Sequence, residues 1–440
     1  TWFNVCMMSE KVTMKRLALC IFPVLLFSCK TNINLFGSKN LHEQYGRKLK
    51  DAGLKETALG RSWFTAADKA LSNPQAVSLP YKEIGYFATD KPRAVGIKFN
   101  AKRGEKLQFT FSKNPTTGFN IYADLWRVND QNAPSLITSV DTSKTSFEHE
   151  VNRDETYILR LQPELLRSGE YTLSISVGPT LAFPVADKSA KIGSFWGAAR
   201  DAGARSHEGI DIFAPRGTPA VAAADGIVTS VSENNLGGKV VFMRPSGKDY
   251  NLYYAHLHEQ LVTNGQTVKQ GEKLGTVGNT GNARTTSPHL HFGIYTMGGA
   301  IDPLPFVNPV IRKPADVNMD PKRLLAEMRL KSDVRIGDQL LKSNTLVFPL
   351  SATAKDIRLQ LPDGRVADIE TSNIQTSASV IKQATTKDNV YIKEAPATLA
   401  PRITSLAASS SVNVLGYFNA FAFVNTSEGS RGWIESSALR

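Results

Sequence analysis

Cysteine is nearly absent from this 440-residue chain: the three are Cys6, Cys20 and Cys29, with none beyond. Everything after residue 29 can form neither a disulfide nor a thiolate metal site, so a metal there must be held by His, Asp or Glu. No run of Lys and Arg with interleaved aromatics occurs. The net charge of +12 therefore favours polyanions such as anionic lipid and anionic wall polymers in general, and nucleic acid is not an expected partner. Histidine is also scarce. The seven are His42, His149, His207, His256, His258, His289 and His291, and five of them fall between 207 and 291. Scattered surface histidines do not cluster in this way, so a metal site is expected there. A hydrophobic share of 41% is that of ordinary globular protein, and the length allows roughly two to four domains.

The segment 14–29 reads MKRLALCIFPVLLFSC. Lys15 and Arg16 give a basic start, and the apolar stretch from Leu17 to Phe27 is too short to span a bilayer as a helix but fits a signal peptide. Its end, Leu26-Phe27-Ser28-Cys29, resembles the bacterial lipoprotein signal, with Leu three before the Cys and a small residue just before it. Phe27 departs from the small residue usual at its position. The resemblance implies that Cys29 is lipidated and becomes the mature N-terminus. That would place the protein in the cell envelope with a membrane as partner, and residues 1–13 upstream of the true start. An ordinary signal peptide that happens to carry a cysteine is the alternative.

The expected fold is mainly β, in several parts. Residues 30–77 read as a tether followed by two or three short helices, with Leu41, Tyr45, Leu49, Trp63, Ala67 and Leu71 at helical spacing. Residues 78–182 alternate with period two (Leu107, Phe109, Phe111; Tyr171, Leu173, Ile175, Val177) and predict a β-sandwich accessory domain. It resembles the jelly-roll modules of secreted bacterial peptidases. Residues 183–312 hold the histidine cluster. Asp320-Pro321 opens a linker helix, expected to reach about Leu330 within a linker 313–332. The tail repeats itself: Gly364–Ile374 aligns without gaps on Gly429–Leu439, dividing the tail into modules 333–378 and 379–440. Both are expected to be small SH3-like β-barrels: the second resembles bacterial SH3-like domains through Gly432-Trp433-Ile434, and the first lacks that Trp. Such a module would bind wall peptide or serve as a structural appendage.

Within the cluster, spacing takes the argument part of the way. On a strand, His207 and Asp211 would stand about 13 Å apart, too far for one zinc, so the chain must bend, and Gly209 can supply the bend. His289 and His291 alternate with Leu290 and precede Phe292-Gly-Ile-Tyr295, a strand pattern. That places the two imidazoles on one face about 6–7 Å apart, suited to one ligand and one base. His256-Leu-His258 is a rival pair of the same form, and spacing does not rank the two. Glu208, next to His207, would point away from it on an extended chain, so it reads as structural or exposed rather than as a general base. Gly275, Gly278 and Gly281 lead through turns to a strand, not into a helix, and so are turn glycines rather than a phosphate loop.

The words SHEGIDIFAPRGTPAVAAADGIV (206–228), YYAHL (253–257), VKQGEKLGTVGNTGNARTTSPHLHFGIY (268–295) and IDP (301–303) resemble the lysostaphin-type zinc endopeptidases, in the family's order. The resemblance implies an antiparallel-β peptidase domain with Zn2+ held by His207, Asp211 and His291. His256 and His289 become the two non-ligand catalytic histidines, and His258 falls outside the set. It also implies that peptidoglycan is the substrate. A catalytically silent wall-binding relative and a peptidase for non-wall peptides are the alternatives; loss of ligands would mark the first, and all five residues are present.

Overall fold

The structure is a computed structural model. It describes residues 40–129, 131, 133–200, 203–377 and 379–440. Cys29 and the signal segment lie outside these residues. No helix among the described residues is long and apolar enough to cross a membrane.

Two helices open the described chain, Leu41–Asp51 and Ala58–Ser72, capped by the side chains of Asn40 and Thr57. They bury Leu49, Trp63 and Ala67 as the spacing requires. His42 is also buried: its ring stacks on Trp63, with ring centroids 4.7 Å apart, and Nδ1 accepts from Arg160 Nη2 at 2.9 Å. Nε2 then carries the proton and donates to Gln162 Oε1. Arg160 pairs with the fully buried Asp124. This polar network fastens the helices to the sheet beneath them.

That sheet has five strands, in the order Gln75–Ala76, Val95–Ala101, Glu155–Pro163, Ile121–Val128, Pro134–Asp141. It packs on a second sheet holding Tyr81–Phe87, Gly169–Pro179, Glu105–Asn114 and Ser146–Glu150, with Ile97, Leu107, Phe109, Tyr157, Leu173 and Ile175 fully buried between them. The second sheet does not stop at the sandwich. Tyr81–Phe87 pairs with Leu346–Ala352, so the strands Leu346–Ala352, Asp356–Gln360 and Val366–Glu370 of the first tail module continue it edge to edge.

The expected linker helix is a single 3₁₀ segment, Pro321–Leu325, started by Asp320, whose side chain accepts from Lys322 N. It ends early because Met328–Leu330 is a strand, paired on both sides and buried, so burial of alternate side chains outweighs the helical start. The repeat in the tail is also a repeat in structure. Each copy runs as a strand (Val366–Glu370; Arg431–Glu435), a 3₁₀ turn (Thr371–Asn373; Ser436–Ala438) and a buried aliphatic, Ile374 or Leu439. Trp433, 2% exposed, does not face solvent. It shares a core with Leu346 and Ile357 of the first module, while Ile392, Val414, Val424 and Ile434 form the second module's own core.

The histidine-bearing region is an antiparallel sheet in the order Lys191–Ser194, Ile210–Phe213, His289–Thr296, Asn251–Gln260, Gly238–Pro245, Gly226–Asn234, Thr267–Val268. One face packs on its own core of Ile210, Ile212, Leu252, Tyr254, Leu290, Phe292 and Ile294, all 0% exposed. The other face carries the candidate site.

Candidate metal and catalytic site

Strand register assembles most of the site. Ile210–Phe213 pairs with His289–Thr296 so that Asp211 lies opposite His291 and Phe213 opposite His289. Directly paired residues share a face, which places Asp211, His289 and His291 together, away from the core. His207 joins them because the chain bends at Gly209 before the strand begins. The bend brings His207 Nε2 to 3.0 Å from Asp211 Oδ1, where an extended chain would hold the residues about 13 Å apart. Gly209 also provides clearance: a Cβ there would meet Phe292 O at 2.6 Å and His291 Nε2 at 2.8 Å.

Three donor atoms converge. His207 Nε2, Asp211 Oδ1 and His291 Nδ1 lie 3.0 Å from one another. His207 Nδ1 donates to Phe195 O at 2.9 Å, which leaves Nε2 as the nitrogen with the free lone pair. Three lone pairs aimed at one point repel unless a cation or proton lies between them. Zinc bonds of about 2.0–2.2 Å in tetrahedral array set donors roughly 3.3 Å apart, so these residues fit such an ion. Burial raises the Asp211 pKa, but bonding to His207 and His291 outweighs it and holds the carboxyl well below its ordinary range. Burial lowers His291.

Sequence reasoning missed the groups behind these donors. Arg200 Nη2 donates to Asp211 Oδ2 at 2.6 Å and to Ser194 Oγ at 2.7 Å. The guanidinium thus occupies one carboxylate oxygen and leaves the other to face the histidines. The only signal in sequence was an Arg a few residues before a ligand, which spacing alone does not distinguish from a surface cation.

His256 reaches the site through an unusual backbone. Its φ is +62°, in the left-handed region, beside a bulge where Asn251–Gln260 meets Gly238–Pro245. Its N–H donates to Gly237 O at 2.7 Å, and a bulge of this kind re-aims one side chain. Nδ1 donates to Thr280 O at 2.9 Å, and His289 Nδ1 donates to Ser287 O at 2.8 Å. Both histidines therefore keep a free Nε2. The two ring centroids are 5.0 Å apart, and that of His256 is 5.8 Å from that of His291. Burial, with His289 and His291 beside it, brings the His256 pKa down to about 4. His258 is outside the group, its backbone carbonyl accepting from Lys239 Nζ. Glu208 is exposed and accepts from Tyr295 Oη at 3.4 Å.

Residues 205–303 match Peptidase family M23. The peptidoglycan DD-endopeptidase ShyC of Vibrio cholerae is 45% identical over 94 residues, 21% of this chain and 21% of ShyC. The uncharacterized lipoprotein YgeR of Escherichia coli is 44% identical over 108 residues, 24% of this chain and 42% of YgeR. The chain thus spans between about a fifth and two fifths of the length of these relatives. The catalytic domain of lysostaphin from Staphylococcus simulans aligns at 31% identity with a TM-score of 0.25, over 27% of this chain and 92% of that domain. Residues 205–303 are thus similar to peptidase family M23, and peptidoglycan endopeptidases are among the relatives that this stretch resembles.

Proposed function

We propose that the protein is a zinc-dependent endopeptidase that hydrolyses peptide bonds in peptidoglycan stem peptides or cross-links, held in the cell envelope by a lipid at Cys29. The observation that carries this reading is the convergence of His207 Nε2, Asp211 Oδ1 and His291 Nδ1 beside two histidines, each with a free Nε2. His207, Asp211 and His291 would hold Zn2+, which supplies Lewis acidity when bound.

The work of the other groups follows from their protonation. His256 and His289 are tied at Nδ1, so each can accept a proton only at Nε2, on the side facing the donors. A water between the two loses its proton to one Nε2, and the departing amine takes a proton from the same pair. Once protonated, an Nε2–H is a donor for the developing oxyanion. Arg200 holds Asp211 in place throughout. The tail modules read as a brace, since Trp433 is spent on packing between them.

The test incubates purified residues 30–440 with wall sacculi, with and without a chelator. Muropeptides are released, release stops on chelation, and His207→Ala releases none. Zinc-replete protein that binds sacculi and cleaves nothing would establish a silent wall-binding protein instead. Cleavage of free peptides with no release from sacculi would move the substrate away from the wall.

A further inference from the structure

The face that carries the metal ligands continues past them. Along the same strands, Ala255 pairs with His291, Tyr253 with Gly293 and Phe242 with Tyr253, so Phe242, Tyr253 and Gly293 share the face of His291. The Tyr253 ring stands 5.8 Å from His291, 4.5 Å from Phe242 and 5.7 Å from Tyr295, centroid to centroid. All three aromatic residues are partly exposed, unlike Tyr254 and Phe292 on the buried face. Tyr295 lies four residues beyond His291, which on a flat strand would place it about 13 Å away. Instead its ring leans back over Gly293, where an added Cβ would come within 2.9 Å of Tyr295 Cε2. From there its hydroxyl donates to Glu208 Oε2.

The two carboxylates near this floor differ in what they face. Asp211 is engaged by Arg200, His207 and His291. Glu208 is exposed, and among the described residues it meets the Tyr295 hydroxyl and no cation. A carboxylate unpaired by any cation, beside partly exposed aromatic rings, is the combination that accepts an ammonium group: the carboxylate by charge, the rings through their negative faces.

We infer that Glu208, Tyr295 and Tyr253 form a subsite that takes a primary ammonium group of the substrate peptide, next to the bond that is cut. This rests on the peptidase reading above and adds the chemical class of residue selected. The ammonium could belong to a diamino-acid side chain or to a free peptide N-terminus; the pocket chemistry is the same for both. A partly exposed charge pair with a cation–π contact is worth a factor of about 5–30.

The experiment uses short wall-type peptides acetylated at the side-chain amine, at the α-amine, or at neither. Binding to the zinc-loaded full chain is measured by calorimetry, and cleavage is followed in parallel. Wild type should lose about 5–30-fold in affinity and in kcat/KM when one of the two amines is blocked, and the amine that matters identifies the source. Glu208→Gln should bind the free peptide as weakly as wild type binds the blocked one, and should be indifferent to blocking. Tyr295→Phe keeps the ring and should retain most of the preference, whereas Tyr295→Leu should lose it. Zinc content should be unchanged in all three variants. Equal losses on acetylation in wild type and Glu208→Gln, or no loss in either, would overturn the subsite. Because binding is read separately, failure to cleave any peptide counts against the peptidase reading alone.

Discussion

Gly209→Ala is the sharpest single perturbation of this site. The residue lies outside the left-handed region, so alanine brings no backbone strain. It brings a methyl group, placed 2.6 Å from Phe292 O and 2.8 Å from His291 Nε2. Ordinary contact begins near 3.4 Å, so the imidazole must retreat by about 0.6 Å and the carbonyl by about 0.8 Å. The carbonyl belongs to a strand paired on both sides, so the imidazole and the 207–209 bend are what give way. Those two carry two of the three donors. Ligand shifts approaching 1 Å cost about 10²-fold in rate. The expected outcome is a loss of zinc affinity together with a fall of about 10²-fold in kcat/KM on sacculi, with the far-ultraviolet spectrum unchanged. Gly217→Ala serves as the control: its φ is +87° and nothing lies within 4 Å of the added atom, so it should cost about 1–2 kcal/mol of stability and leave zinc affinity intact. Gly209→Ala with wild-type zinc affinity and activity would refute the claim that clearance at this position holds the donors together.

Arg200→Ala frees Asp211 Oδ2, and loss of such a support should weaken zinc binding by about 10–100-fold, read by competition with a chelating dye. His256→Ala and His289→Ala should each keep stoichiometric zinc while losing about 10²–10⁴-fold in kcat. Far from the site, His42 should make stability depend on pH. Burial, then the Arg160 charge, lowers its pKa from 6.5 to about 4, so between those values the unfolded chain binds a proton that the folded chain refuses. Its contribution is complete above pH 6.5 and is lost as pH falls towards 4, by about 3 kcal/mol. Urea melts of wild type and His42→Gln across that range would reveal the difference, and parallel curves would refute it. Trp433→Ala should cost about 3–5 kcal/mol in the same assay, because the ring fills a core shared by two modules.

How much of this was legible in the sequence depended on whether the information was local. The bend between His207 and Asp211 follows from two strand-distant residues that must meet, with a glycine between them, and the chain does bend there. The common face of His289 and His291 follows from period-two alternation, and the strand carries it. The short helices were legible for the same reason: Leu49, Trp63 and Ala67 repeat at helical spacing, and each is buried. What the sequence withheld is what only register supplies. Nothing near Arg200 states that its guanidinium will meet Asp211, since the meeting depends on the pairing of Ala199–Arg200 with Arg205–Ser206 beside the bend. The left-handed conformation of His256 was hidden for a similar reason: it comes from a bulge, an extra residue visible only against a partner strand.

The same limit explains the tail. Asp320-Pro321 is a sound helix start, yet Met328 and Leu330 have partners on both sides and the helix yields to a strand. Gly432-Trp433-Ile434 pointed to an SH3-like module, either wall-binding or structural, and its Trp433 is spent on packing against the first module. Leu346–Ala352 extends the sandwich sheet through Tyr81–Phe87, and the same strand helps to bury Trp433. A module whose aromatic face is consumed by its neighbour, and whose neighbour shares a sheet with the sandwich, cannot swing as a tethered wall-binding unit without breaking that core. The tail therefore packs as a brace on the sandwich, and under the function proposed above recognition of substrate would fall to the face that carries His291, Tyr253 and Glu208.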